Sequence, residues 1–177
     1  ASNNDLNLYS ALEDNDNTGV ATQLSIAHQL LKPSKIWRLN LATDIDYIQK
    51  NFRNLEGMYN PEFNRDWNLE QPTSNQLITD LGDQLFIKTA AQLLHPELGQ
   101  FNYQFQSLNY NKNYDGSRHV FLAKLKLNRF HLFSNFSLLT TDGVSSNSSF
   151  YRTNTKLKYS YSKGWAGVGL SSEHNEK

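Results

Sequence analysis

"FNYQFQSLNYNKNYDGSRHVFLAKLKLNRFHLFSNFSLL" (residues 101–139) decides how the chain folds. Phe101, Tyr103 and Phe105 alternate with Asn102, Gln104 and Gln106. Further on, Phe121, Ala123, Leu125 and Leu127 share one phase opposite Lys124 and Lys126, and Phe130, Leu132, Phe136 and Leu138 continue the pattern. A period of two marks a β-strand, because successive side chains point to opposite faces; a helix needs a spacing near 3.6. The polar segment "NKNYDGS" (111–117) separates the first two runs, whereas only Asn128 and Arg129 separate the second and third. Asn, Asp, Gly and Ser supply the tight backbone shapes of turns. The stretch predicts three antiparallel strands, joined first by a long polar loop and then by a two-residue turn.

The same alternation recurs on both sides. Leu6, Leu8 and Leu12 share a face in "DLNLYSAL", as do Val20, Leu24, Ile26 and Leu30 in "VATQLSIAHQLL". In "WRLNLATDIDY" Trp37, Leu39, Leu41, Ile45 and Tyr47 oppose Arg38, Asn40, Asp44 and Asp46. "QLITDLGDQLFIK" groups Leu77, Leu81, Leu85 and Ile87. In "YRTNTKLKYSY" Tyr151, Leu157, Tyr159 and Tyr161 oppose Arg152, Asn154, Lys156 and Lys158, and "WAGVGLSSE" reads as a final strand. The pattern predicts an all-β chain of about nine strands forming one meander domain over residues 1–177.

The connections alternate in kind. "EDNDNTG" (13–19), residues 50–75, residues 111–117 and "TTDGVSSN" (140–147) are long and polar, while "KPSK" (32–35), "HPELG" (95–99), Asn128–Arg129 and "SKG" (162–164) are short. In an up-and-down meander alternate loops fall at opposite ends, so long loops should collect at one end and tight turns at the other. Outer-membrane barrels have this asymmetry.

Composition narrows the functional classes. Seventeen basic residues balance seventeen acidic ones, which argues against a nucleic-acid partner held by excess positive charge. The absence of cysteine removes disulfides and thiolate metal sites. No apolar run suits a transmembrane helix, although barrel strands never form one. The opening "ASNNDLNLYS" is already strand-like, so the sequence reads as a mature chain or a piece of a longer one.

No chemical step is encoded in a recognisable spacing. His28, His95, His119, His131 and His174 are scattered. Asp14, Asp16 and Thr18 are spaced like the start of a calcium loop, but Ser25 stands where the bidentate glutamate belongs. Neither a nucleophile elbow nor a phosphate-binding glycine loop is present. The expectation is a protein that is not an enzyme and carries no cofactor or metal.

Three groups of residues are candidates for function. "EGMYNPEFNRDWN" (56–68) concentrates aromatics and charge in a long loop. Tyr59, Phe63 and Trp67 are four apart, so a short helix sets them on one side. With Arg53, Arg65 and Asp66 they form either a loop gripping a surface protein or glycan, or a cap folded back on the sheet. "SKIW" and "SKGW" place Trp37 and Trp165 at turn exits, where the ring can mark a lipid–water interface. Finally, Arg38, Asp44, Asp46, Lys124, Lys126, Arg152, Lys156 and Lys158 occupy polar strand faces. In a closed sheet these face a lumen, either to select a polar solute or to pair as internal salt bridges.

The long–short alternation of loops, the Ser-Lys-x-Trp turn exits and strands such as "YRTNTKLKYSYSKGWAGVGLSSE" resemble the outer-membrane β-barrel proteins of Bacteroidota. That resemblance implies a barrel or barrel segment in the outer membrane, in contact with lipid, acting as transporter, channel or scaffold for surface partners. A soluble extracellular β-sheet module binding glycan or protein is the alternative, favoured by the mean hydropathy of −0.64.

Overall fold

The computed structural model describes residues 2–3, 18–31, 36–52, 62–69, 82–111, 113–143 and 147–176. A two-residue pairing joins β1 (Ser2–Asn3) to β2 (Thr18–Gly19). The body of the chain is one eight-stranded antiparallel sheet: β3 (Ala21–Gln29), β4 (Arg38–Ile48), β5 (Gln84–His95), β6 (Gly99–Tyr110), β7 (Tyr114–Leu127), β8 (Phe130–Gly143), β9 (Asn147–Tyr161) and β10 (Gly164–Glu176). Strand order follows chain order from β3 to β10, an up-and-down meander. A single-turn helix, α1 (Phe63–Asp66), lies in the connection between β4 and β5. The sheet is not closed: among the described residues β3 and β10 each pair on one side alone.

The antiparallel pairings expected of β3 with β4 and of β7 with β8 are present. Eight strands stand in the sheet instead of about nine; the run at 5–12 and the turn at 32–35 lie outside the described residues. Two connections are shorter than their polar sequences predict. β6 and β7 are joined by residues 111–113 alone, and β8 and β9 by residues 144–146. The polar residues around them continue the ladder, with Asn109 opposite Asp115 and Asp142 opposite Asn147. Backbone pairing does not require apolar side chains, so strand ends whose otherwise apolar phase turns polar escape a reading based on hydrophobic alternation.

Turn chemistry sets the hairpins. Asn111 and Asn128 adopt left-handed conformations, with φ of 47° and 53°, which asparagine tolerates better than most residues. Gly99 closes the β5–β6 turn at φ 111°, and a Cβ there would stand 2.0 Å from the Lys124 carbonyl oxygen. Only glycine fits both the dihedral and the space.

Register then divides the sheet into two faces. The rung Asp46–Phe86–Leu108–Gly116–Thr141–Ser148 crosses six strands and belongs to a predominantly polar face. Two residues along β7, β8 and β9 from Gly116, Leu139 and Phe150 this face carries Arg118, Ser137 and Arg152. The opposite face carries Leu39, Leu93, Phe101, Ala123, Ser134, Thr155 and Leu170 on one rung, and is apolar over most of its extent.

Replacing Gly99 by alanine is expected to cost about 2 kcal/mol or more, because a strained φ and a backbone clash coincide. Gly169→Ala should stay within about 0.5 kcal/mol, since its Cβ would meet nothing nearer than 3.6 Å. Denaturant midpoints of the two variants measured side by side check the difference.

Candidate functional site

Burial and hydrophobicity are inverted at the loop end, where the buried cluster lies on the polar face while the apolar face is exposed or half-buried over most of its extent. Large apolar side chains on the apolar face stay open: Val168 is 68% exposed, Leu170 66% and Ile26 58%, and Leu24, Tyr103, Phe121, Phe130, Phe136, Leu157 and Tyr161 are also exposed. Apart from Val20, Leu30 and Ile36, which flank the strands, and Trp165, every exposed large apolar side chain among the described residues belongs to this face. The buried cluster lies on the other side. Phe86, Leu108, Tyr110, Tyr114 and Leu139 pack with Trp67 on the polar face, with Phe63, Leu69 and Phe150 around them.

Residues 62–69 are therefore folded onto the polar face at its loop end. Trp67 is 2% exposed and meets Phe86 edge-on at a centroid distance of 5.9 Å; Phe63 meets the same ring at 5.9 Å. Such edge-to-face contacts add to the gain from area burial alone. Gly116 makes the seat, with room for two rings, for a Cβ at that position would stand 2.7 Å from the Tyr114 hydroxyl and 3.0 Å from Trp67 Cε3. Polar contacts fix the orientation. The Tyr114 hydroxyl donates to the Trp67 carbonyl, Asn68 Nδ2 donates to Ser148 Oγ at 3.0 Å, and Arg118 lies 3.8 Å from the Asp66 carboxylate. Tyr110 donates to Gln84 Oε1 at 2.8 Å beneath the cluster, and Thr141 and Ser148 share a hydrogen bond of 2.8 Å.

Of the candidate binding loop, Phe63 and Trp67 pack against the sheet, and Asp66 faces Arg118. Arg53, Tyr59 and the Arg65 side chain lie outside the described residues. Trp37 and Trp165 do not act as a matched pair. Trp37 meets the His95 ring in a tilted contact at 4.6 Å beside the apolar face, whereas Trp165 pairs with Ser160 and lies over the polar one, 5.1 Å beneath the Lys158 ammonium.

The charged candidates share the polar face. Arg38, Asp44 and Asp46 lie on β4, Lys124 and Lys126 on β7, and Arg152, Lys156 and Lys158 on β9, all in phase. Their charge is unevenly distributed. Asp44 stands opposite Lys88, and Arg152 donates to Glu173 at 2.9 Å. The four lysines of β7 and β9 gather toward the tight turns. Among the described residues no group of His, Asp or Glu side chains is arranged to hold a metal ion.

The sheet residues that receive Phe63 and Trp67 escape a reading based on alternation because several of them interrupt it. Leu85-Phe86-Ile87 and Leu138-Leu139 are consecutive apolar residues, which is what a strand shows where both faces meet apolar surroundings. That signal could have placed Phe86 and Leu139 under the loop. Gly116, the seat itself, carries no such sign.

No protein-family model, curated protein or solved structure matches the chain.

Trp67→Ala should cost about 3–5 kcal/mol, the usual penalty for emptying a buried aromatic site. Gly116→Val should displace the same ring and give a loss of the same order. Tyr114→Phe, which removes one hydrogen bond and little volume, is expected to cost about 1 kcal/mol. Chemical denaturation followed by near-ultraviolet circular dichroism would rank the three.

Proposed function

We propose that the chain is an outer-membrane β-barrel protein, or a segment of one. Its apolar face meets lipid, and its polar face lines a lumen narrowed at one end by residues 62–69. The observation that carries this reading is the inversion described above. A soluble antiparallel sheet packs its apolar face inward and leaves polar residues in water. Here the apolar face is open over seven strands, and the packed cluster sits among the polar residues.

Dimensions support the same reading. A tilted transmembrane strand needs about 9–11 residues, and β4 to β10 have 11 to 15. On β9 the apolar phase runs from Tyr151 to Tyr161. At roughly 3.3 Å per residue and a tilt near 45°, that stripe is about 23 Å tall, close to the apolar band of known barrels. Beyond it Ser107, Ser117, Thr140 and Ser149 form a polar rung on the same face. The strands thus continue past the band on the side where residues 62–69 dock. Aromatic residues mark the border nearest the turns, where Phe130 and Tyr159 lie 4.9 Å apart.

The edges point the same way. β10 has 13 residues and β3 has nine, and each offers one unpaired ladder edge among the described residues. Long exposed edges invite aggregation, and barrel closure removes them. Closure of these strands on each other or on further strands would yield a lumen carrying Lys88, Lys124, Lys156 and Arg152. Within that architecture the chain acts as a transporter or channel, or as a scaffold for surface partners.

The test is behaviour in lipid. The chain should need detergent to stay dispersed, and should insert into liposomes in a heat-modifiable, protease-resistant form. Phe121→Arg on the apolar face should cost about 2–4 kcal/mol if it lies near the bilayer midplane. Gln104→Lys on the polar face should leave insertion intact. A chain that is monomeric and folded in plain buffer, and that ignores liposomes, would establish the soluble extracellular module instead.

A further inference from the structure

Near the tight turns, two consecutive rungs of the polar face have an unusual composition. One runs Lys126, His131, Lys158, Gly167; the next runs Lys124, Phe133, Lys156, Gly169. Each rung sets two lysines on either side of a ring and ends in a glycine. Strands lie about 4.8 Å apart and residues about 3.3 Å along them, so the four lysine Cα positions mark a rectangle of about 10 by 7 Å. Between the rungs runs a groove of about 670 Å³, bordered by Lys124, Lys126, Phe133, Lys156, Lys158 and Trp165 and lined for the most part by apolar atoms.

Among the described residues no carboxylate forms an ion pair with these lysines. The ion pairs among the described residues lie elsewhere: Arg118 with Asp66, Arg152 with Glu173, and His174 with Glu176. Glu173, the acidic group of β10 on this face, is thus already engaged by Arg152. Two of the lysines lie over rings, Lys124 6.0 Å from Phe133 and Lys158 5.1 Å from Trp165. Like charges on neighbouring strands repel, and ring contacts offset that only in part. Glycines at 167 and 169 leave the far side of the groove without side chains, and Trp165, 64% exposed, lies beside Gly167 as a flat platform.

We propose that this groove binds a multiply charged phosphate ester carried on a ring, with the lysines holding the phosphate oxygens and Trp165 and Phe133 bordering the ring. Lysine acts here as a point charge with three donors, suited to phosphate oxygens whose orientation varies. The proposal deepens the reading of the polar face as a lumen, because a solute passing along that face would meet these rungs at the turn end. The same chemistry could come from a free phosphorylated solute or from a phospholipid headgroup.

Calorimetric titration of the folded chain, in whichever of non-ionic detergent or buffer keeps it monomeric, tests the site independently of membrane insertion. The probes are pyrophosphate and phenyl phosphate, with glucose as the neutral control. Phosphatidylcholine vesicles with and without phosphatidic acid form the lipid arm. Both phosphates should bind and glucose should not, with affinity falling as salt rises. Lys124→Gln or Lys158→Gln should each weaken pyrophosphate by about tenfold, the usual effect of losing one charge-assisted contact. Trp165→Ala should weaken phenyl phosphate more than pyrophosphate, and Lys88→Gln, elsewhere on the same face, should change neither. Lys124→Arg, which keeps the charge and the fold, should retain binding. Lysine-dependent binding of phosphatidic acid vesicles in preference to the soluble probes would support the site with a headgroup as its ligand. Absence of binding by every phosphate, or binding unchanged in the glutamine variants, would overturn it. Failure to enter liposomes together with intact phosphate binding would reject the membrane reading and keep the site.

Discussion

Register is the constraint on which everything else in this sheet depends. A strand that slips by one residue exchanges its faces completely. The rung Asp46–Phe86–Leu108–Gly116–Thr141–Ser148 holds the setting, since Phe86, Leu108 and Gly116 differ sharply in size and pack beneath one ring. Gly116 accommodates Trp67, and Phe86 meets it edge-on. Shifting β7 by one position would put Asp115 or Ser117 under the indole, filling the seat with a polar side chain. Residues 62–69 thus act as a gauge laid across the strands, and the Tyr114 and Ser148 hydrogen bonds keep it aligned.

The division of labour between the faces follows from that setting. At the loop end, apolar burial on the polar side ties the connection between β4 and β5 to β6–β9. At the turn end the same side carries four lysines that form no ion pair among the described residues, while the other face carries leucine, phenylalanine and tyrosine for most of the strand length. Lipid-facing and lumen-facing residues alternate in just this way along a membrane-spanning strand. Low mean hydropathy is compatible with it, because half of every such strand, and all of its loops, are polar.

Strand identity, the antiparallel meander and the grouping of charged residues on one face were legible in the sequence, because alternation and turn chemistry are local signals. Arg38, Asp44, Lys124, Lys156 and Arg152 share a face as their phase requires. What local pattern could not supply was contact across strands. That Trp67 would select the polar side depends on Gly116, 49 positions away, and on Leu139 further still. Trp165 follows the same logic. Its Ser-Lys-x-Trp setting matches that of Trp37, yet one falls in the phase of Leu39 and the other in the phase of Gly167. Loop lengths were misjudged where strands remain paired after their outer phase turns polar, as at Asn109 and Asp115.

Among the described residues each strand of the sheet pairs only with its neighbours in sequence. Such an arrangement is close to one-dimensional, like a row of repeats whose stability is a sum of adjacent interfaces. Hairpins can form locally and zip outward without waiting for distant segments, which favours rapid assembly. It also makes width a variable property: a hairpin gained or lost at an end of the row would alter the span of the sheet without changing how the remaining strands meet. Residues 62–69 break that independence. By reaching from Phe86 on β5 to Ser148 on β9 they make five strands count as one unit, so variation in strand number is tolerated beyond β9 and resisted beneath Trp67.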